Sequence, residues 1–187
     1  MTGCAEMAPV VATPAAMMRQ PVAAIDIGGR LSVRYQKDGH DEALHGSFSW
    51  SQRTASTIIS LLSPLGQTLA VITITPTSAS IEQAGQPIRV AANADALAAD
   101  ALGWPLPIAG LRSWLQGFIT NSQGQISGVT PNETTALRTS DGWTLQYASW
   151  DNTDPAFPHP KRIDLTRQTT EAGEVAIRLV IDSWQPL

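Results

Sequence analysis

The chain has 187 residues, with 12 basic against 16 acidic side chains and a formal net charge of −4. Only 15% of its residues are charged and 43% are hydrophobic, where about 25% charged is usual. These proportions exclude a disordered chain and a basic nucleic-acid binder that works by neutralising phosphates. They point to one compact domain with a real core, and with uncharged surface left over to line a cavity or to meet lipid or a partner.

Residues 1–24 read as a flexible tether rich in Ala, Pro and Met, ahead of a domain over 25–187. The uncharged stretch Met7–Met18 is too short to span a bilayer and is broken by Pro9 and Pro14. No charged segment precedes an apolar one, so no targeting segment is expected. Cys4 is the one cysteine, which excludes an internal disulfide framework and a cysteine-rich zinc site. The tripeptide Thr2-Gly3-Cys4 looks like the end of a bacterial lipobox, whose cysteine is lipidated after cleavage. The plain alternative is a chance cysteine near a terminus.

From residue 25 the pattern alternates. Ile25, Ile27, Leu31, Val33 and Tyr35 share one strand face, and a polar turn over 37–41 leads into a second strand, about 43–51, with Leu44, Gly46, Phe48 and Trp50 on one face. Residues 54–81 carry no charge over 28 positions. Pro64 and Gly66 break this run, and β-branched residues crowd its second half, so it predicts two strands joined by a tight turn rather than a membrane span. Further strands are predicted near 78–83, 87–91, 135–140, 143–150, 161–168 and 174–184. Between them, Asn93 is placed to cap a short Ala-rich helix with Asp95 in its first turn. A second helix is predicted over 107–116, with Ile108, Leu111 and Leu115 on one stripe beside Trp114. Residues 118–134, polar and Gly-rich, read as a loop. About ten antiparallel strands in one sheet predict a curled, unclosed half-barrel, with the short helices, which need tertiary contact to persist, on its concave side. The fold class is therefore mainly β.

No catalytic constellation accompanies this frame. The segment Gly124–Gly128 misplaces the serine of a nucleophile elbow. His40 and His45 are two candidate ligands without a third, and the acidic turn Asp151–Asp154 lacks calcium-loop spacing. No metal or cofactor is expected. Ser63-Pro64-Leu65-Gly66 matches a type I turn with Leu65 at its outer corner. A leucine there either is presented to lipid, a gain of about 1.5–3 kcal/mol if buried, or folds back on its own loop.

Several segments in order resemble the outer-membrane lipoprotein receptor LolB family of Gram-negative bacteria. They are Gly29–Val33, Gly46–Trp50, Leu62–Thr68, Leu102–Pro107, Leu111–Gly117, Gly142-Trp143 with Tyr147, and Ile181–Trp184. The resemblance implies an antiparallel half-barrel whose hydrophobic cavity is covered by short helices. It also implies a periplasm-facing, lipid-anchored place at the cell outer membrane, with Cys4 as the attachment point. The family accepts acylated lipoproteins from the periplasmic carrier LolA and places them in the outer membrane, and a leucine in its protruding loop is needed for insertion. Leu65 occupies that position, framed by Pro64 and Gly66. Such transfer needs an apolar cavity, a yielding lid and no nucleophile, so an enzyme is not expected. Candidate cavity residues are Phe48, Trp50, Leu62, Ile72, Ile74, Trp114, Trp143 and Trp184, each of which is otherwise ordinary core. Arg30 and Arg112 either bond across the lid or face solvent. The partners implied are LolA, lipoprotein cargo and outer-membrane lipid, with a monomer expected. The alternative is a soluble periplasmic lipid or lipoprotein carrier of related fold, with an acyl hydrolase on a curved sheet as a third class.

Overall fold

The computed structural model describes residues 19–102, 106–132 and 135–187. Cys4 and the Trp104-Pro105 link therefore lie outside the described residues. The chain runs β1 (Ile25–Lys37), β2 (His40–Gln52), β3 (Thr57–Leu62), β4 (Thr68–Ile74), β5 (Ala79–Gln83), β6 (Arg89–Ala91), α1 (Ala94–Leu102), α2 (Ile108–Trp114), β7 (Phe118–Thr120), β8 (Ile126–Gly128), β9 (Leu137–Arg138), β10 (Thr144–Asp151), β11 (His159–Thr169) and β12 (Gly173–Pro186). Ten strands form one antiparallel sheet in the order β6-β5-β4-β3-β2-β1-β12-β11-β10-β9. The sheet is unclosed, because among the described residues β6 and β9 have no partner on their outer sides. The fold expected from the alternation is the fold observed.

Alternation puts one apolar face inward. The row Trp50–Ile59–Ile72–Ile81 crosses β2 to β5 with every member at least 94% buried, and Val175, Ile177, Leu179 and Ile181 do the same on β12. Two irregularities reset the alternation. Leu61 pairs with Ala70 but Leu62 with Thr68, so Leu69 bulges out of β4. Gly29 pairs with Ile181 but Gly28 with Ser183, which leaves Asp182 unpaired and turns Trp184 to the inner side, opposite Ile27. Gly29 is required at that crossing, where an added Cβ would lie 2.1 Å from the Val180 carbonyl and 3.0 Å from the Phe48 ring. We expect Gly29→Ala to cost about 1–3 kcal/mol through backbone displacement, read as a lower urea midpoint at unchanged slope.

The helices cover the inner face. Asn93 caps α1, accepting a bond from the Ala96 N–H at 2.8 Å. Asp95 acts beyond its own helix: its carboxylate accepts the Ala109 N–H at 3.0 Å and so caps the first turn of α2. Gly110 in mid-helix has a packing reason, since the Trp114 ring fills the space a Cβ would take, at 2.4 Å. Within the expected loop over 118–134, residues 118–128 instead form the hairpin β7–β8. Its turn is set by the Asn121 side chain, which accepts the N–H groups of Gln123 and Gln125, both at 2.9 Å. Three-residue strands are too short to leave an alternation signal.

The outer face of β1, β12 and β11 is charged and exposed. Asp164 there receives Arg162 at 2.6 Å and Arg178 at 2.8 Å. Partial burial pushes its carboxyl up, but the two guanidinium bonds outweigh this and hold it below the usual range. A carboxylate depressed in the folded state adds stability that is present above its unfolded pKa, about 3.9, and is lost as pH falls through the folded value. Asp164→Asn should thus cost about 1–2 kcal/mol near neutrality, with the gap to the parent closing below about pH 3.9, measured by urea unfolding across the acid range.

Candidate functional site: an apolar cavity under a helix, and an exposed leucine

Between α2 and the sheet lies a cavity of ≈ 140 Å³. Its floor comes from Leu31 and Val33 on β1, Phe48 and Trp50 on β2, Ile59 and Leu61 on β3, and Ile72 on β4; Ile177 and Leu179 close one side. Its roof is Leu106, Ile108, Leu111 and Leu115, the α2 stripe read from the sequence and its flanks. Leu44 also lines it and is 40% exposed, which marks the mouth. No charged group among the described residues lines it.

Of the eight cavity candidates, the structure brings Phe48, Trp50 and Ile72 to the lining. Leu62 pairs with Ser47 on the outer face, and its neighbour Leu61, opposite Phe48, takes the inner place. Ile74 packs partly buried against the core without lining the cavity. Trp114 is buried on α2. Trp143 is fully buried just before β10, with the Arg167 guanidinium 6.0 Å over its ring. Trp184 stacks on His159 at 4.8 Å, away from the cavity.

Hydrogen bonds fasten the roof to the sheet. The Tyr147 hydroxyl donates to the Trp114 carbonyl at 3.1 Å, and burial pushes that phenol well above its ordinary value, so it stays a neutral donor. Arg112 on α2 donates to the Thr57 hydroxyl at 3.2 Å and to the Arg53 carbonyl at 3.4 Å, and so bonds from lid to sheet. Arg30 faces outward instead, paired with Asp182 at 2.9 Å.

Sequence reasoning missed a clamp at the C-terminal end of α2. The buried Gln116 amide accepts the Val22 N–H at 2.8 Å and donates to the Val22 carbonyl at 3.3 Å. Gln52 donates to the carbonyls of Val22 and Ala23, both at 3.4 Å. Arg19 donates to the carbonyls of Pro158 at 3.1 Å and Gly117 at 3.2 Å, and also to that of Val129. Its guanidinium lies 5.1 Å from the Phe118 ring centre and 5.0 Å from that of Trp150. Residues 19–24, ahead of β1, are therefore held on the domain. Two glutamines and an arginine carry no local mark of such a role.

The second feature is the β3–β4 turn. The Gly66 N–H donates to the Ser63 carbonyl at 2.9 Å, and the Ser63 N–H to the Gln67 carbonyl at 2.8 Å. Gly66 sits at φ +82°, the left-handed position that closes a three-residue hairpin loop after a type I turn. Leu65 is 89% exposed and does not fold back.

Residues 23–184 match the sequence profile of the family described as outer membrane lipoprotein LolB. The chain belongs to the LolB family. Among its relatives, the outer-membrane lipoprotein LolB of Cupriavidus necator is 41% identical, over 89% of this chain and 83% of that protein. Its counterpart in Cupriavidus taiwanensis is 38% identical over 100% of this chain and 92% of that protein. Among solved structures, a LolA superfamily protein from Nitrosomonas europaea superposes with TM-score 0.50 at 11% identity, covering 92% of this chain and 90% of that one, a likeness of fold alone. As a LolB-family member the chain belongs at the outer membrane. No helix among the described residues is long and apolar enough to cross a membrane.

Proposed function

We propose that this LolB-family chain is the receptor that takes acylated lipoproteins from the periplasmic carrier LolA and inserts them into the outer membrane, as a monomer anchored through Cys4 and without a catalytic step. One observation carries the reading: a single chain combines a helix-roofed cavity without charge and a rigidly presented, exposed leucine. Each acyl CH₂ left in water costs about 0.8 kcal/mol, so cargo chains need shelter at every stage of a handover. The cavity of ≈ 140 Å³ is benzene-sized, since a cavity of roughly 150 Å³ holds that molecule. An acyl chain therefore enters only when α2 lifts from the sheet, which parts the bonds made by Tyr147 and Arg112. Transfer runs forward if each successive site holds the chains more tightly than the last. Leu65 then supplies contact with the destination bilayer.

The experiment is to incubate the LolA–lipoprotein complex with the full chain and then with outer-membrane lipid vesicles. Intact lipoprotein moving first to the chain and then to the vesicles is the expected result. Released fatty acid would instead mean hydrolysis, and uptake without delivery would mean a soluble carrier.

A further inference from the structure

Strand register divides the outer face of the sheet into two unlike halves. Over β1, β12 and β11 it carries Arg30, Arg34, Arg162, Asp164 and Arg178, a surface built for water. Over β3 to β6 it carries one charge, Glu82. The row Ile58–Thr73–Ser80–Val90 crosses this half, on the reverse of the buried row Ile59–Ile72–Ile81. Ile58 is 43% exposed, Leu69 in the bulge 43%, Val90 68% and Ile88, just before β6, 60%. With Leu65, these are five of the nine strongly exposed large apolar residues among those described, gathered on one flap. The turn that carries Leu65 lies on the outer side at the border of the two halves, since Pro64 lines a groove with Ser47 of β2 and with Arg30, Ser32, Arg178 and Val180 of the charged half.

We propose that the outer face of β3–β6 is a lipid-contact surface, so that the domain rests on the bilayer along this flap rather than touching it through Leu65 alone. The inference rests on the reading of Leu65 as a membrane contact and extends it. The occupant is a bilayer for three reasons. The face is continuous with Leu65, because Leu69 belongs to the same hairpin. Residues 54–81 carry no charge, so the β3–β4 hairpin meets lipid without desolvating an ion. And a LolB-family chain belongs at that membrane. Ser60, Thr73 and Ser80 between the apolar residues suit the headgroup boundary.

The test uses the full chain with Cys4→Ser and an N-terminal hexahistidine, captured on phosphatidylethanolamine–phosphatidylglycerol vesicles that contain a nickel-chelating lipid. An environment-sensitive fluorophore goes on single cysteines at Leu65, Ile88, Val90, Arg34 and Ile126. Quenching by spin-labelled lipid is expected at Leu65, Ile88 and Val90, and not at Arg34 or Ile126. Without capture, the double variant Ile88→Asp/Val90→Asp should float with vesicles about tenfold less than the parent, while Ile126→Asp should not differ. Quenching at Leu65 but not at Ile88 and Val90 would overturn this inference and leave the delivery reading standing; no quenching even at Leu65 would remove both. Shielding of Val90 without vesicles, together with sedimentation as a dimer, would assign the face to a second copy and overturn it as well.

Discussion

Leu65→Glu will leave lipoprotein uptake from the carrier intact and stop delivery to the membrane. Leu65 is 89% exposed, so its replacement removes almost no packing, and folding stability should stay within about 0.5 kcal/mol of the parent. The turn survives as well, because its bonds are made by the backbone of Ser63, Gly66 and Gln67 and leave the leucine side chain free. What changes is the free energy of placing that side chain in lipid. A leucine gains about 1.5–3 kcal/mol on burial, whereas a carboxylate at the bilayer interior costs several kcal/mol, so the swing corresponds to at least a hundredfold in membrane contact. The measurement is a two-step transfer assay with a thermal melt of each variant. Blocked uptake at an unchanged melting temperature would argue against an inserting role, and delivery at the parental rate would remove it.

Filling the cavity should separate stability from function in the opposite direction. Leu31 and Leu44 line it from partly exposed positions near its mouth, where a larger ring can extend into open volume without displacing neighbours. In Leu31→Trp/Leu44→Trp the indoles should occupy much of the ≈ 140 Å³ and add apolar burial, so the melting temperature holds or rises. Acyl binding should fall at least about tenfold, the effect of losing some 1.4 kcal/mol of apolar contact, as read by displacement of a fluorescent fatty acid and by uptake of cargo. Most core substitutions lower stability and activity together. A variant that becomes more stable while it loses ligand is the signature of a space kept empty for use. Unchanged binding would mean that the acyl chains lie elsewhere.

The sequence by itself determined whatever depends on neighbours along the chain. Alternation over Ile25–Tyr35 and over Val175–Ile181 is local, and so are the Asn93 cap, the α2 stripe of Ile108, Leu111 and Leu115, and the charge-free run broken by Pro64 and Gly66. The type I turn with Leu65 at its corner followed from four adjacent residues, and the ordered family segments were legible for the same reason. The tertiary structure alone decided which side each residue took once the alternation was broken, and what lay across from it. Leu62 faces outward through the unbroken alternation of Thr57, Ile59 and Leu61 on β3, whereas the unpaired Asp182 turned Trp184 inward while leaving it beyond the cavity. A bulge is set by the partner strand, and so leaves no period in its own segment. Trp114, Trp143 and Trp184 looked alike as large apolar residues, because burial in a core and exposure to a cavity select the same side chains. The clamp, in which Gln52 and Gln116 hold the chain ahead of β1 and Arg19 of that chain reaches Pro158, joins residues up to 139 positions apart. Such hydrogen bonds arise only when the sheet brings those carbonyls together, which no local pattern encodes.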